Sequence, residues 1–165
     1  MSESASGPPR DHDPSGVWPA NGWVLHLDRR APSQPRDRRA GLVLIVDDTS
    51  DTRELYAFYL DHVGFSVSAV ADGETAVAAA VEMEPDVIVM DLSMPNLDGI
   101  AATQRLRLLP RTRNVPVILL TGFPRKAIER GALEAGVDVF LTKPCLPEDL
   151  VAHVRRVMES KGRAT

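Results

Sequence analysis

Apolar residues fall into two alternating patterns from Leu42 onward. Short runs of continuous or alternating apolar residues occupy about 42–46, 65–70, 87–91, 116–120 and 137–141. Between and after them, apolar positions recur every three or four residues over about 50–63, 74–83, 98–109, 125–134 and 147–159. The first pattern predicts strands and the second predicts helices. Strand and helix alternating five times predicts an α/β fold, a (βα)5 doubly wound parallel sheet. The first, third and fourth runs are nearly all apolar, as strands covered on both faces should be. The second, Phe65-Ser66-Val67-Ser68-Ala69-Val70, alternates and should lie at an edge. The fifth carries Asp138 and should form the other edge. The expected order is therefore 2-1-3-4-5.

Local signals refine the helices. Leu55, Phe58, Tyr59 and Val63 should form the buried stripe of the first, with Gly64 as its left-handed stop. Asp72 can cap the second, whose Ala76, Ala79 and Ala80 give a close-packing face. Pro124 and Pro147 suit the first turns of the fourth and fifth helices. Gly136 suits the end of the fourth, and Leu146, Leu150, Val154 and Val157 repeat at helical spacing in the fifth.

Residues 1–40 follow neither pattern. They hold nearly half of the 13 prolines and many arginines, and stretches such as Gly7-Pro8-Pro9 and Arg36-Asp37-Arg38-Arg39 have the composition of solvated linker. They are expected to form a disordered or weakly structured extension, ahead of a domain at 41–160 and a short tail at 161–165. One apolar island, Val17 to Leu27, interrupts the extension and contains both tryptophans, Trp18 and Trp23. Besides a passive tail, it can be read as a docking motif or as a flap packing on the domain.

Composition narrows the setting. A net charge of −4 argues against general nucleic-acid affinity. A single cysteine, Cys145, excludes an intrachain disulfide and fits a reduced compartment. No apolar stretch approaches the roughly 18 residues that span a membrane, and the N-terminus lacks a secretory pattern. A cytoplasmic protein without membrane or nucleic-acid partners is expected. Cys145 reads more readily as a small packing residue than as a redox switch.

The chemistry lies at the strand ends. The first strand is followed by Asp47-Asp48, the third ends in Asp91, Thr121 follows the fourth, and Lys143 comes just after the fifth. In a parallel sheet these side chains meet at the carboxyl edge, where open α/β sheets bind ligands. Close carboxylates repel, so a cation must neutralise them or one must hold a proton. Oxygen donors alone favour Mg²⁺ or Mn²⁺ over zinc. An aspartate is then the natural nucleophile toward a phosphoryl group, with Asp91 the better candidate because it ends the central strand.

Asp47-Asp48, Asp91 followed by Met94-Pro95 and Gly99, Thr121-Gly122, and Lys143-Pro144 together resemble the receiver domain of two-component response regulators. The resemblance covers residues 41 to 160. It implies that Asp91 accepts phosphate from a histidine kinase or phosphotransfer protein. It implies that Asp47, Asp48, Asp91 and the carbonyl of Ser93 hold Mg²⁺, and that Lys143 contacts the phosphate through a loop with a cis Lys143-Pro144 bond. Thr121 and Phe140 would form the switch, with phenylalanine in place of the commoner tyrosine. The output surface would be the fourth helix, fifth strand and fifth helix, acting on a downstream protein; a phosphorylation-dependent homodimer is also compatible. As the chain ends soon after the fifth helix, a single-domain regulator is expected. The competing readings are a Mg²⁺-dependent aspartate-nucleophile phosphatase and a receiver-like scaffold that is not phosphorylated. Against the phosphatase, Thr49 and Ser50 stand where a second aspartate would be needed.

Overall fold

The computed structural model of the protein describes residues 40–163. The expectations for residues 1–39, including the Val17–Leu27 island, lie outside them. Five strands and five helices alternate: β1 Leu42–Val46, α1 Ser50–His62, β2 Ser66–Val70, α2 Gly73–Met83, β3 Val87–Asp91, α3 Gly99–Leu108, β4 Val117–Thr121, α4 Lys126–Glu134, β5 Val139–Thr142 and α5 Pro147–Gly162. All neighbouring strands pair in parallel, in the order β2-β1-β3-β4-β5. The (βα)5 architecture, the strand order and both edge strands are as the patterning predicts.

The sheet divides the core into two layers, as alternate residues of each strand point to opposite faces. Leu44, Val46, Ile88, Met90 and Leu119 pack with Ala76, Ala80, Ala102, Leu106 and Ala132 on one face. Val43, Ile45, Val89, Ile118 and Leu120 pack with Tyr56, Leu60, Leu150 and Val154 on the other. α2, α3 and α4 thus cover one face, and α1 and α5 the other.

Most of the local signals act as expected. Asp72 accepts the Thr75 N–H at 2.7 Å. Gly64 and Gly136 take positive φ just beyond α1 and α4. Pro147 opens α5. Pro124 instead precedes the N-cap Arg125, whose extended backbone delays the helix to Lys126. Leu146 is the N-cap of α5 and stands exposed, so the buried stripe there begins at Leu150.

The stripe of α1 is also a correction. Its buried residues are Tyr56, Ala57 and Leu60, whereas Leu55 and Phe58 are 53% and 72% exposed. Tyr59 and Val63 are partly buried against that layer. The helix carries two apolar arcs, and local contacts choose between them. Ala57 permits close approach to the strands, and the Tyr56 hydroxyl donates to the Cys145 carbonyl at 2.9 Å. That bond satisfies the one polar atom of an otherwise buried ring.

Two residues outside the site carry stability predictions. Ser68, opposite Leu44 in the β1–β2 register, is 2% exposed, and among the described residues its hydroxyl has no hydrogen-bond partner. Replacing it removes an unsatisfied polar group. Ser68→Ala should raise unfolding stability by about 1 kcal/mol, or about 4 °C in Tm; a thermal melt showing a decrease contradicts this. Arg107 of α3 donates to the Gly136 carbonyl at 2.7 and 3.0 Å and to the Val115 carbonyl at 2.8 Å. It also pairs with Asp138 at 3.0 Å, and Asp138 accepts the Val117 N–H at 2.8 Å. One side chain thereby ties α3 to the start of β4 and the end of α4. Arg107→Ala should cost about 2 kcal/mol in urea denaturation, because the carbonyls lose a charged donor; an unchanged midpoint contradicts this.

Candidate functional site

Parallel pairing brings the polar strand ends to one edge. β1 delivers Asp47 and Asp48, neighbouring β3 delivers Asp91, β4 ends in Thr121, and Lys143 immediately follows β5. The sheet reverses direction of growth between β1 and β3, so the three carboxylates lie at its switch point.

Lys143 joins two of them. Its Nζ lies 2.8 Å from Asp47 Oδ2 and 3.0 Å from Asp91 Oδ1. The backbone N–H of Lys143 donates to the Thr121 carbonyl at 2.7 Å, which fixes the loop. The Lys143-Pro144 bond is cis, as the resemblance implies. Asp47 and Asp91 keep only 3% and 7% of their side-chain surface exposed, while Asp48 stands open to solvent. One oxygen from each of the three carboxylates lies within 4.8 Å of the others.

The electrostatics follow from that crowding. Burial pushes the Asp91 carboxyl above its ordinary range; Lys143 pulls it back in part, and Asp47 and Asp48 push it further up. Burial pulls the Lys143 ammonium down, but its hydrogen bonds to Asp47 and Asp91, with their charges, outweigh this and leave it raised. One ammonium faces three carboxylates, so the site is short of positive charge. Hard oxygen donors, two buried and one open to water, fit a divalent cation that keeps part of its hydration. Ser93, two residues past Asp91 in the loop before α3, is exposed between buried Leu92 and Met94.

Backbone contacts hold the acidic groups in place. Asp47 Oδ1 accepts the Thr49 N–H at 2.8 Å, and Arg53 of α1 donates to the Asp47 carbonyl at 2.6 Å. Gly99 opens α3 directly behind Asp91. A Cβ there would lie 2.6 Å from the Asp91 carbonyl oxygen and 3.1 Å from the Leu92 Cα, so only glycine lets the helix start so close.

Thr121 is fully buried, and its hydroxyl accepts the Phe123 N–H at 3.1 Å. Phe140 is half-buried against the layer that includes Ala132 and Ile128. Asp47, Asp48, Asp91, Thr121 and Lys143 therefore stand together at the carboxyl edge of the sheet. Sequence reasoning missed Arg53 and Tyr56, since neither sits in a recognisable pattern. The structure separates Asp47 from Asp48: the first is buried and ion-paired, the second exposed. Cys145 is partly buried, and burial with the nearby Asp149 pushes its thiol up, away from the reactive thiolate.

Comparison with known proteins agrees with this geometry. The family described as "Response regulator receiver domain" matches residues 43–155. The DNA-binding dual master transcriptional regulator RpaA of Synechocystis sp. is 35% identical over 121 residues, covering 73% of this chain and 50% of RpaA. The chain spans about half the length of the curated transcriptional regulators it matches. The receiver domain of a signal transduction histidine kinase from Syntrophus aciditrophicus is 36% identical, with a TM-score of 0.68 over 73% of this chain and 92% of that one. The receiver domain of sensor histidine kinase PA1611 from Pseudomonas aeruginosa PAO1 is 32% identical, with a TM-score of 0.67 over 72% and 98%. That structure holds a magnesium ion in its active site cleft. Because relatives include a regulator named as DNA-binding, the expectation of no nucleic-acid partner gains no support from them. Among the described residues no helix is long and apolar enough to cross a membrane.

Proposed function

Given that this chain belongs to the response regulator receiver domain family of two-component systems, we propose that it is a phosphoacceptor signalling module whose acceptor is Asp91. The observation that carries the reading is the Asp47–Lys143–Asp91 bridge at the switch point of the sheet. An Asp91 carboxylate oxygen attacks phosphorus in the phosphohistidine of a histidine kinase or phosphotransfer protein. The P–N bond breaks, the electron pair returns to the imidazole, and an acyl phosphate forms on Asp91. The Lys143 ammonium is placed to leave Asp91 and balance a phosphoryl oxygen. The Thr121 hydroxyl, now an acceptor for the Phe123 N–H, becomes a donor to another. Asp47, Asp48, Asp91 and the Ser93 carbonyl are the proposed Mg²⁺ ligands. A bound Mg²⁺ supplies the positive charge that the carboxylates and an incoming phosphoryl group both require.

Thr121 and Phe140 are the proposed switch. Movement of Thr121 toward the phosphoryl group vacates space beside β4, and Phe140 opposite Leu119 on β5 is positioned to repack. The change biases two arrangements of the α4–β5–α5 face, which carries Arg125, Lys126 and Arg130 at the exposed start of α4. Downstream protein contacts there are the proposed output.

The competing phosphatase reading makes a different kinetic forecast. Supplied with acetyl phosphate and, separately, a generic phosphate ester, the protein should take one phosphoryl group from the first and leave the second unhydrolysed. Sustained turnover of the ester would favour an aspartate-nucleophile phosphatase instead.

A further inference from the structure

The outer face of α1 and the free edge of β2 form a second surface that the phosphoacceptor reading does not use. A groove of about 210 Å³ runs between them, lined by Arg53, Ala57, Phe58 and Asp61 of α1 and by Val67 and Ala69 of β2. Phe58 borders it with 72% of its surface exposed, stacked on His62 with ring centroids 6.3 Å apart. β2 pairs with β1 along one side only, and among the described residues its other edge has no strand partner. An apolar groove beside an unpaired edge is a receptor for an extended segment, with backbone bonds supplying affinity and side-chain pockets supplying register.

We propose that the occupant is the chain's own segment Trp23-Val24-Leu25-His26-Leu27, added to the β2 edge with Trp23, Leu25 and Leu27 turned into the groove. The five-residue segment matches the five residues of β2 in length. Trp23, Leu25 and Leu27 share one face of an extended strand, with Val24 and His26 on the other. The entry point of the chain fits as well. The Ala40 N–H donates to the Gly64 carbonyl at 3.0 Å, so the preceding residues approach the domain at the turn that joins α1 to β2. The roughly 13 residues from Leu27 to Ala40 span up to about 43 Å when extended, whereas α1 rises only about 12 Å from Arg53 to Asp61. An antiparallel course puts Leu27 at the Ser66 end, close to where Ala40 enters. Asp28 follows Leu27, and Arg29 and Arg30 after it then fall toward Asp61, on a rim that also holds Arg53 and Glu54.

Docking at this surface bears on the phosphoacceptor site through one residue. Arg53 lines the groove and donates to the Asp47 carbonyl. The segment therefore rests against a side chain that helps hold the first strand end.

The domain contains no tryptophan, and of the chain's two only Trp23 lies in the segment, so a Trp18→Phe background makes Trp23 the sole reporter. The test, in that background, is the emission spectrum and acrylamide quenching of the full chain, the Phe58→Glu variant and the Leu25→Asp variant. Phe58 is mostly exposed and Leu25 precedes the domain, so both variants should keep the fold, which far-UV circular dichroism checks. The expected result is emission blue-shifted from that of the urea-denatured chain and protected from acrylamide. Both properties should be lost in each variant and be independent of protein concentration. Emission equal to that of the denatured chain overturns the proposal. So does a blue shift that survives both variants, or one that grows with concentration, which assigns the contact to a second copy.

Discussion

Lys143→Met should destabilise the domain by about 3–5 kcal/mol when no divalent cation is present, the usual cost of leaving buried charges unpaired. Asp47 and Asp91 are both nearly buried, and Lys143 is the cation that bridges them. Its removal leaves two carboxylates close together, with Asp48 adding to the repulsion. A protein so altered should gain more stability from Mg²⁺ than the parent does. In the parent the lysine already supplies part of the missing charge; in the variant the ion is the only source, and binding to the folded state alone adds stability by mass action. Urea denaturation with and without Mg²⁺ reads both effects. A loss below about 1 kcal/mol, the range of exposed pairs, together with an unchanged response to Mg²⁺, contradicts the arrangement.

Asp91→Asn should abolish phosphoryl uptake and, without Mg²⁺, make the fold more stable by on the order of 1 kcal/mol. The two effects share one cause. Burial, with Asp47 and Asp48, raises the Asp91 carboxyl above its ordinary range despite the pull of Lys143. A raised folded-state value means that the neutral form is the better tolerated one. Its stabilising contribution is present at acid pH and is lost as pH rises through the folded-state value. At neutral pH the ionised carboxylate therefore costs stability, and the uncharged amide removes that cost while still offering Lys143 an acceptor. It also removes the nucleophile. The variant should show a flatter loss of stability from acid to neutral pH than the parent. A variant less stable than the parent at neutral pH would show that the ion pair with Lys143 outweighs the crowding.

Much of this architecture is legible in the chain because two signals coincide. Apolar runs of strand length set the number and burial of the strands, and their compositions separate the central ones from the edges. The polar residues that follow the strands then meet wherever the strands run parallel. Contacts that depend on helix phase are harder to read. α1 offers Leu55 and Phe58 on one arc and Tyr56, Ala57 and Leu60 on another, and apolarity alone favours the wrong one. The choice turns on a hydroxyl reaching the Cys145 carbonyl and on how small Ala57 is, and both belong to the tertiary fold. Arg107 illustrates the same limit. It reads as a solvated charge in a helical stretch, yet its acceptors come from loops 8 and 29 residues away in sequence. The difference between Asp47 and Asp48 is likewise invisible in a pair of identical letters. Asp47 is buried at the end of β1 and paired with Lys143, and Asp48 beside it is exposed.

The most direct measurement is the intact mass of the protein after incubation with acetyl phosphate, with and without Mg²⁺, beside the Asp91→Asn variant. The account predicts a single gain of about 80 Da that requires Mg²⁺ and is missing from the variant. A gain of the same size in Asp91→Asn, or one indifferent to Mg²⁺, would contradict the assignment of Asp91 as the acceptor at a cation-dependent site.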